Sequence, residues 1–224
     1  LVAAGVGPEV LHYPGFFLVL PQIYSRVNLA LDLVAGSLIF GAAVLILWTT
    51  ATGRATTGEW AAARRRWPAL FLLRLPVVLL PVLFYAAVPA LAGEAAAGQA
   101  TLIRTVRYGG FLMAVVAEAL FLYGPLAMLA RGRPLGAALR ETVALAVKVP
   151  LATLLIVLVP NLAHLPLAAA MRRTQAIAVN LTPETVGWLL FLSILVYVAV
   201  TLLSLASAVR VYGARASAAE GGRP

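Results

Sequence analysis

The chain has 224 residues, 62% of them hydrophobic and 11% charged, with a mean hydropathy of +0.97. A water-soluble domain carries roughly 25% charged residues, so this balance excludes one and points to an integral membrane protein. The formal charge of +9 is spread as basic clusters between apolar stretches, the pattern of the positive-inside rule rather than of nucleic-acid binding. The absence of cysteine excludes disulfides, thiolate metal sites and thiol nucleophiles. Two histidines, His12 and His164, are too few for a multi-histidine metal centre, and no cofactor is expected.

The chain starts at Leu1, with no basic stretch followed by a clean apolar core. It therefore reads as a processed or incomplete start, with room for a sixth span at or before the N terminus. Residues 11–24 are expected to lie in the membrane interface, because the apolar run from Gly15 to Leu20 is bracketed by Pro14 and Pro21 and is too short to cross. Five spans follow, near 28–50, 69–92, 109–130, 143–169 and 185–209, each matching the ~20 residues a hydrocarbon layer demands. The expected architecture is an all-α, polytopic transmembrane helical bundle, with residues 1–224 forming a single integral membrane domain.

Sorting the basic residues by alternate loops gives ten on one side: Arg54, Arg64, Arg65, Arg66, Arg131, Arg133, Arg140, Arg210, Arg215 and Arg223. Five fall on the other: Arg26, Arg104, Arg107, Arg172 and Arg173. Arg74 and Lys148 lie within spans. The richer side is expected to face the cytoplasm of a bacterial inner membrane, with the loops at 51–68 and 131–142 and the C-terminal tail inside. Trp48, Trp60 and Trp67 then gather at the inner interface and Trp188 at the outer one, where indole rings settle.

The two inner loops open alike, with Gly53-Arg54 and Gly132-Arg133, and each runs through an Ala-rich, Arg-bearing stretch into the next span. Thr56 and Glu59 have capping-box spacing, and Pro134 suits a first helical turn, so a short amphipathic cytoplasmic helix is expected before spans two and four. Arg74-Leu75-Pro76 and Lys148-Val149-Pro150 each place a cation two residues before a proline. A duplicated unit of span, loop, short helix and span would suit either a transporter with parallel repeats or a doubled hairpin whose basic helices lie on anionic lipid.

The stretch Gly124-Pro125-Leu126-Ala127-Met128-Leu129-Ala130-Arg131-Gly132-Arg133-Pro134-Leu135-Gly136-Ala137-Ala138-Leu139-Arg140-Glu141 resembles the span-to-loop transition of the glycerophosphoryl diester phosphodiesterase membrane-domain family and its standalone relatives. Thr57-Gly58-Glu59-Trp60-Ala61-Ala62-Ala63-Arg64 is similar to the same group's earlier inner loop. The resemblance covers residues 15–210 in outline and implies a membrane module of roughly six helices. It implies no hydrolase here, because nothing after Arg210 is long enough for a phosphodiesterase domain and paired acidic metal ligands are absent.

A charge at the bilayer centre costs about 2.5 to 3.5 kcal/mol on insertion scales, so each ionisable residue in a span needs a partner or an escape to water. Glu118 lies twelve residues before Ala130, about 18 Å from the inner end of its span. Arg74 and Lys148 sit about 8 Å from the inner surface and can snorkel outward or reach Glu118. Glu118, Arg74 and Lys148 are thus the candidate intramembrane polar site, the alternative being snorkelling cations and a neutral, hydrogen-bonded Glu118. Asp32, near the outer end of span one, is expected to be solvated or locally paired. His164, between Pro160 and Pro166, reads as hydrogen-bonded at the interface in preference to a pigment or haem ligand. Candidate anionic-lipid contacts are Arg64, Arg65, Arg66, Arg131 and Arg133.

No Gly-rich phosphate loop, HExxH or GxSxG motif occurs, so a non-catalytic role is expected. The leading expectation is an accessory, scaffold or assembly subunit with a protein partner in a membrane complex. The alternatives are a small permease with a site near Glu118 and a module that binds or senses anionic lipid headgroups.

Overall fold

The computed structural model describes residues 15–53, 58–92, 99–171, 173, 176–177 and 180–221. The described residues are helical and contain no strand. In chain order the helices are α1 (Gly15–Leu31), a π-helical segment (Asp32–Gly36), α2 (Ser37–Ala51), α3 (Glu59–Arg65), α4 (Trp67–Ala92), α5 (Ala100–Phe121), α6 (Gly124–Leu129), α7 (Leu135–Lys148), α8 (Pro150–Met171) and α9 (Pro183–Gly221). Five stretches are long and apolar enough to cross a membrane: Val27–Ala51, Trp67–Ala92, Ala100–Leu129, Pro150–Leu167 and Pro183–Arg215. The all-α, multi-pass class follows. The part of the interfacial segment at residues 11–14 and the capping residue Thr56 lie outside the described residues. Residues 15–24 belong to α1, which carries Pro21 internally.

The residues group into two compact units: residues 1–31 with 160–202, and residues 32–159 with 203–224. In the first, Val186 is fully buried and Phe17 approaches Gly187. Trp188 is 71% exposed, with its ring edge-on to Phe191. Such an exposed indole fits a lipid-facing or interfacial position. The side chain of His164 lies outside the described part.

In the second unit, α4 packs antiparallel against α5, with Phe84 and Tyr85 meeting Gly109 and Gly110 at one end and Leu73 meeting Gly124 at the other. Small residues let these helices approach closely, which matters in lipid because apolar side chains gain little by leaving hydrocarbon. A core of Val44, Leu70, Val115, Tyr123, Leu126, Met128, Val157 and Leu205 is buried between helices. The outward surface remains apolar, as at Leu72, Leu83, Leu112 and Leu151.

The resemblance between the two inner loops has a backbone counterpart. Gly53 and Gly132 both adopt left-handed φ, +67° and +68°, a conformation that ends a helix at little cost only for glycine. The short helices α3 and α7 follow. The parallel stops at the cations. Pro76 is carried inside α4, so Arg74 sits in a continuous helix. Before Pro150 the chain breaks instead, with Val149 at φ −130°, ψ 57°. Proline lacks an N–H and pushes its predecessor out of the helical region. Lys148 therefore closes α7, is exposed, and precedes the apolar span that begins at Pro150; the expected place inside span four is corrected.

Candidate intramembrane polar site

A cavity of about 40 Å³ lies among α2, α4, α5 and α6. Its walls are Leu70, Leu73, Val77, Leu122 and Pro125, with the rings of Phe40 and Phe121, and its polar groups are Ser37, Arg74 and Glu118. Arg74 Nη2 donates to both carboxylate oxygens of Asp32, at 2.8 and 2.9 Å. The Arg74 guanidinium also lies 4.9 Å from the centre of the Phe40 ring, within range of a cation–π contact. The Arg74 and Asp32 side chains are 16% and 22% exposed.

The π-helical segment explains how Asp32 reaches this place. A π turn widens the helix and leaves carbonyls poorly served within it. Ser37 Oγ and Trp67 Nε1 both donate to Val34 O at 2.9 Å. Gly36 leaves room for the carboxylate, since a Cβ there would stand 2.7 Å from Asp32 Oδ1. The expectation of a solvated or locally paired Asp32 gives way to a pairing across 42 residues. Arg74 and Glu118, singled out from sequence, share the cavity; Lys148 is not among its lining residues.

A second polar cluster joins the ends of the spans. Pro125 disturbs the helix, and α5 stops at Phe121 before α6 begins at Gly124. The Tyr123 amide in that break donates to Thr142 Oγ1 of α7 at 3.0 Å, which satisfies a buried N–H that hydrocarbon could not. Thr153 Oγ1 gives its single proton to Val149 O, so the Tyr123 hydroxyl donates to Thr153 at 3.0 Å. The Tyr123 ring stacks on Tyr212, their centroids 6.4 Å apart and planes 23° apart, and Trp48 meets Tyr212 edge-on.

Tyr212 in turn donates to Glu141 Oε1 at 2.6 Å. Arg131 and Arg133 approach the same carboxylate at 3.5 and 3.6 Å. The Arg131 guanidinium lies 5.5 Å from the Tyr212 ring centre. Arg66 caps the neighbouring loop by donating to Met128 O, Arg133 O and Gly132 O. Of the predicted lipid-contact arginines, Arg64, Arg65 and Arg133 are exposed, whereas Arg66 and Arg131 are partly buried and used in part to hold the fold. Thr142, Thr153, Glu141 and Tyr212 were not singled out from sequence, because isolated hydroxyls and a loop-edge carboxylate carry no motif.

No protein-family model matches the chain, and no curated protein or solved structure does. The resemblance to the membrane-domain family rests on its motifs alone. Function has to be argued from the two clusters. Among the described residues no group of three metal-ligating side chains occurs; the groups that line the cavity, Ser37, Arg74 and Glu118 among apolar walls, can take part in charge pairing, proton exchange and apolar contact.

Proposed function

We propose that this chain is a small transporter of the bacterial inner membrane whose substrate site is the cavity beside Arg74 and Glu118. The observation that carries the reading is a cavity of about 40 Å³ with apolar walls, lined also by an arginine and a glutamate of two different spans. A polar void of that size has room for a water or two, which suits the passage of protons or small cations. Ionisable residues inside spans are costly and mark ion, proton or substrate pathways. Arg74 is paired with Asp32, and Glu118 lines the same cavity; a protonatable carboxyl within a span suits a proton or small-cation pathway.

In this reading the ten-arginine side, with α3, α7 and the C terminus, faces the cytoplasm. Glu118 is the exchangeable group, and Asp32 holds Arg74 in place. Proteoliposomes carrying an internal pH dye, challenged with small monovalent cations and with an imposed pH gradient, test it. Wild type is expected to move protons or solute, and Glu118→Gln to abolish that flux at unchanged protein content. Flux no greater than that of empty liposomes, or equal in wild type and Glu118→Gln, overturns the proposal.

The reading as an accessory subunit draws on a different feature. Val143 and Val147 on α7 are 42% and 68% exposed, one helical turn apart on a helix outside the five spans, a pattern that suits a partner helix. Crosslinking in mild detergent separates the two: a transporter keeps its flux alone, and a subunit co-purifies with its complex.

A further inference from the structure

We propose that Ser37 holds a water at the wall of the Glu118 cavity and that this water relays the proton Glu118 exchanges, a role that rests on the transport reading of this cavity. Ser37 is buried, 1% exposed, and lines the cavity. Its Oγ gives its single proton to Val34 O at 2.9 Å, so toward the cavity it can only accept. Among the described residues nothing donates to that oxygen. Internal waters are held where they bridge buried polar groups that the chain itself leaves unserved.

The π-helical segment brings this hydroxyl into place. A π turn closes on the fifth residue instead of the fourth, so Asp32 and Ser37, five positions apart, fall near one face, which a regular α-helix would not allow. The partner of Asp32, Arg74, and the hydroxyl of Ser37 therefore serve the same cavity. Val34 O, inside the segment, takes a second donor, Trp67 Nε1, also at 2.9 Å. Trp67 is not among the lining residues of the cavity. The two donors share one structural task, and only Ser37 also faces the cavity.

A water needs two to four polar partners, and Ser37, Arg74 and Glu118 stand in the wall. A carboxyl group offers about four acceptor positions and a guanidinium five N–H donors, so the water joins whatever other bonds Glu118 and Arg74 make. Hard cations ask for about six oxygen ligands, whereas Ser37 and Glu118 are the oxygen-bearing side chains of this wall, beside a permanently charged guanidinium. A proton is the cargo that fits. In the exchange the Glu118 O–H bond breaks, its proton goes to a lone pair of the held water, and that water passes one of its own protons to a second water, leaving a carboxylate; the reverse reloads it. Relay through one water is ordinary general acid–base geometry. Ser37 is a positioning residue, which fixes the water by the hydrogen bond it accepts.

Infrared difference spectra of proteoliposomes between two pH values, taken together with proton flux, test the site. The Glu118 band is the one that Glu118→Gln removes, and the water band is one that moves in heavy-oxygen water and changes in Glu118→Gln. Wild type is expected to show both. Ser37→Ala should lose the water band, shift the Glu118 band and lower the flux about tenfold, the size of one lost hydrogen bond. Trp67→Phe, which removes the other donor to Val34 O, should leave both bands and the flux close to wild type. Equal losses in the two variants mean that the hydroxyl only supports the π-helical segment, and overturn the proposal, as do bands unmoved in Ser37→Ala. Should Ser37→Ala not fold, the wild-type water band decides alone, its absence overturning the site. Coupled bands without any flux keep the water site and overturn transport; Glu118-dependent flux without a water band keeps transport and overturns the water site. Flux that requires sodium assigns the cavity to a metal cation and overturns the proton as cargo.

Discussion

Arg74 and Arg131 each meet a carboxylate and each lie against an aromatic ring, yet their surroundings differ. Arg74 and Asp32 pair at 2.8 Å within the helices, beside a cavity walled by leucine, valine and phenylalanine. Arg131 meets Glu141 at 3.5 Å beyond the end of a span, where Arg133 and Tyr212 share the same carboxylate. In a low-dielectric interior the loss of a partner is costly, whereas at the span ends water and salt screen each pair. The comparison separates a cluster held by one close ion pair from one in which several groups share a carboxylate.

Breaking the inner pair has the largest expected effect. Arg74→Met strands Asp32 and should cost about 3 kcal/mol, the lower end of the range for a buried pair that loses one member. Unfolding in mixed micelles titrated with sodium dodecyl sulfate measures it. The double variant Asp32→Asn/Arg74→Met should recover most of the loss, because no uncompensated charge remains. A double variant as unstable as Arg74→Met would show that packing, and not charge, holds the site.

Between these extremes lies the neutral hydrogen bond at the helix break. Thr142→Val keeps the shape of a fully buried residue but leaves the Tyr123 amide without its acceptor, at an expected cost of about 2 kcal/mol. The same unfolding assay reads it, and Thr142→Ser, which restores the oxygen, should lie closer to wild type. A Thr142→Val protein indistinguishable from wild type would mean that another acceptor takes the amide.

At the span ends the smallest effect is expected. Arg131→Met leaves Glu141 with Arg133 and Tyr212 and should cost about 1 kcal/mol or less, as for partly exposed ion pairs. Added salt should shrink the difference further, since it screens this pair more than the inner one. An Arg131→Met loss as large as that of Arg74→Met would erase the distinction between the two clusters.

Much of this was legible before any coordinates. Five apolar stretches of sufficient length follow from composition alone, and α3 and α7 stand where Gly, Arg and Pro announced short helices. Trp48, Arg66, Arg131 and Tyr212 come together around one loop. Lys148 misled because periodicity runs unbroken through Val149, while the proline after it decides locally between a carried kink, as at Pro76, and a break. Asp32 misled because counting residues along a regular helix takes no account of a π-helical segment. Glu141 and Tyr212 are 71 residues apart, a separation at which sequence spacing carries no geometric information.

By itself the sequence determined the solvent: a chain with so few charges must live in hydrocarbon, and its backbone must satisfy itself as helices there. It also determined the short list of polar residues that have to be accounted for. Which of them meet was decided only by tertiary structure. Pairing depends on the rotation of each helix, on the π-helical turn at Asp32 and on the break at Tyr123, where packing between distant segments outweighs local preference.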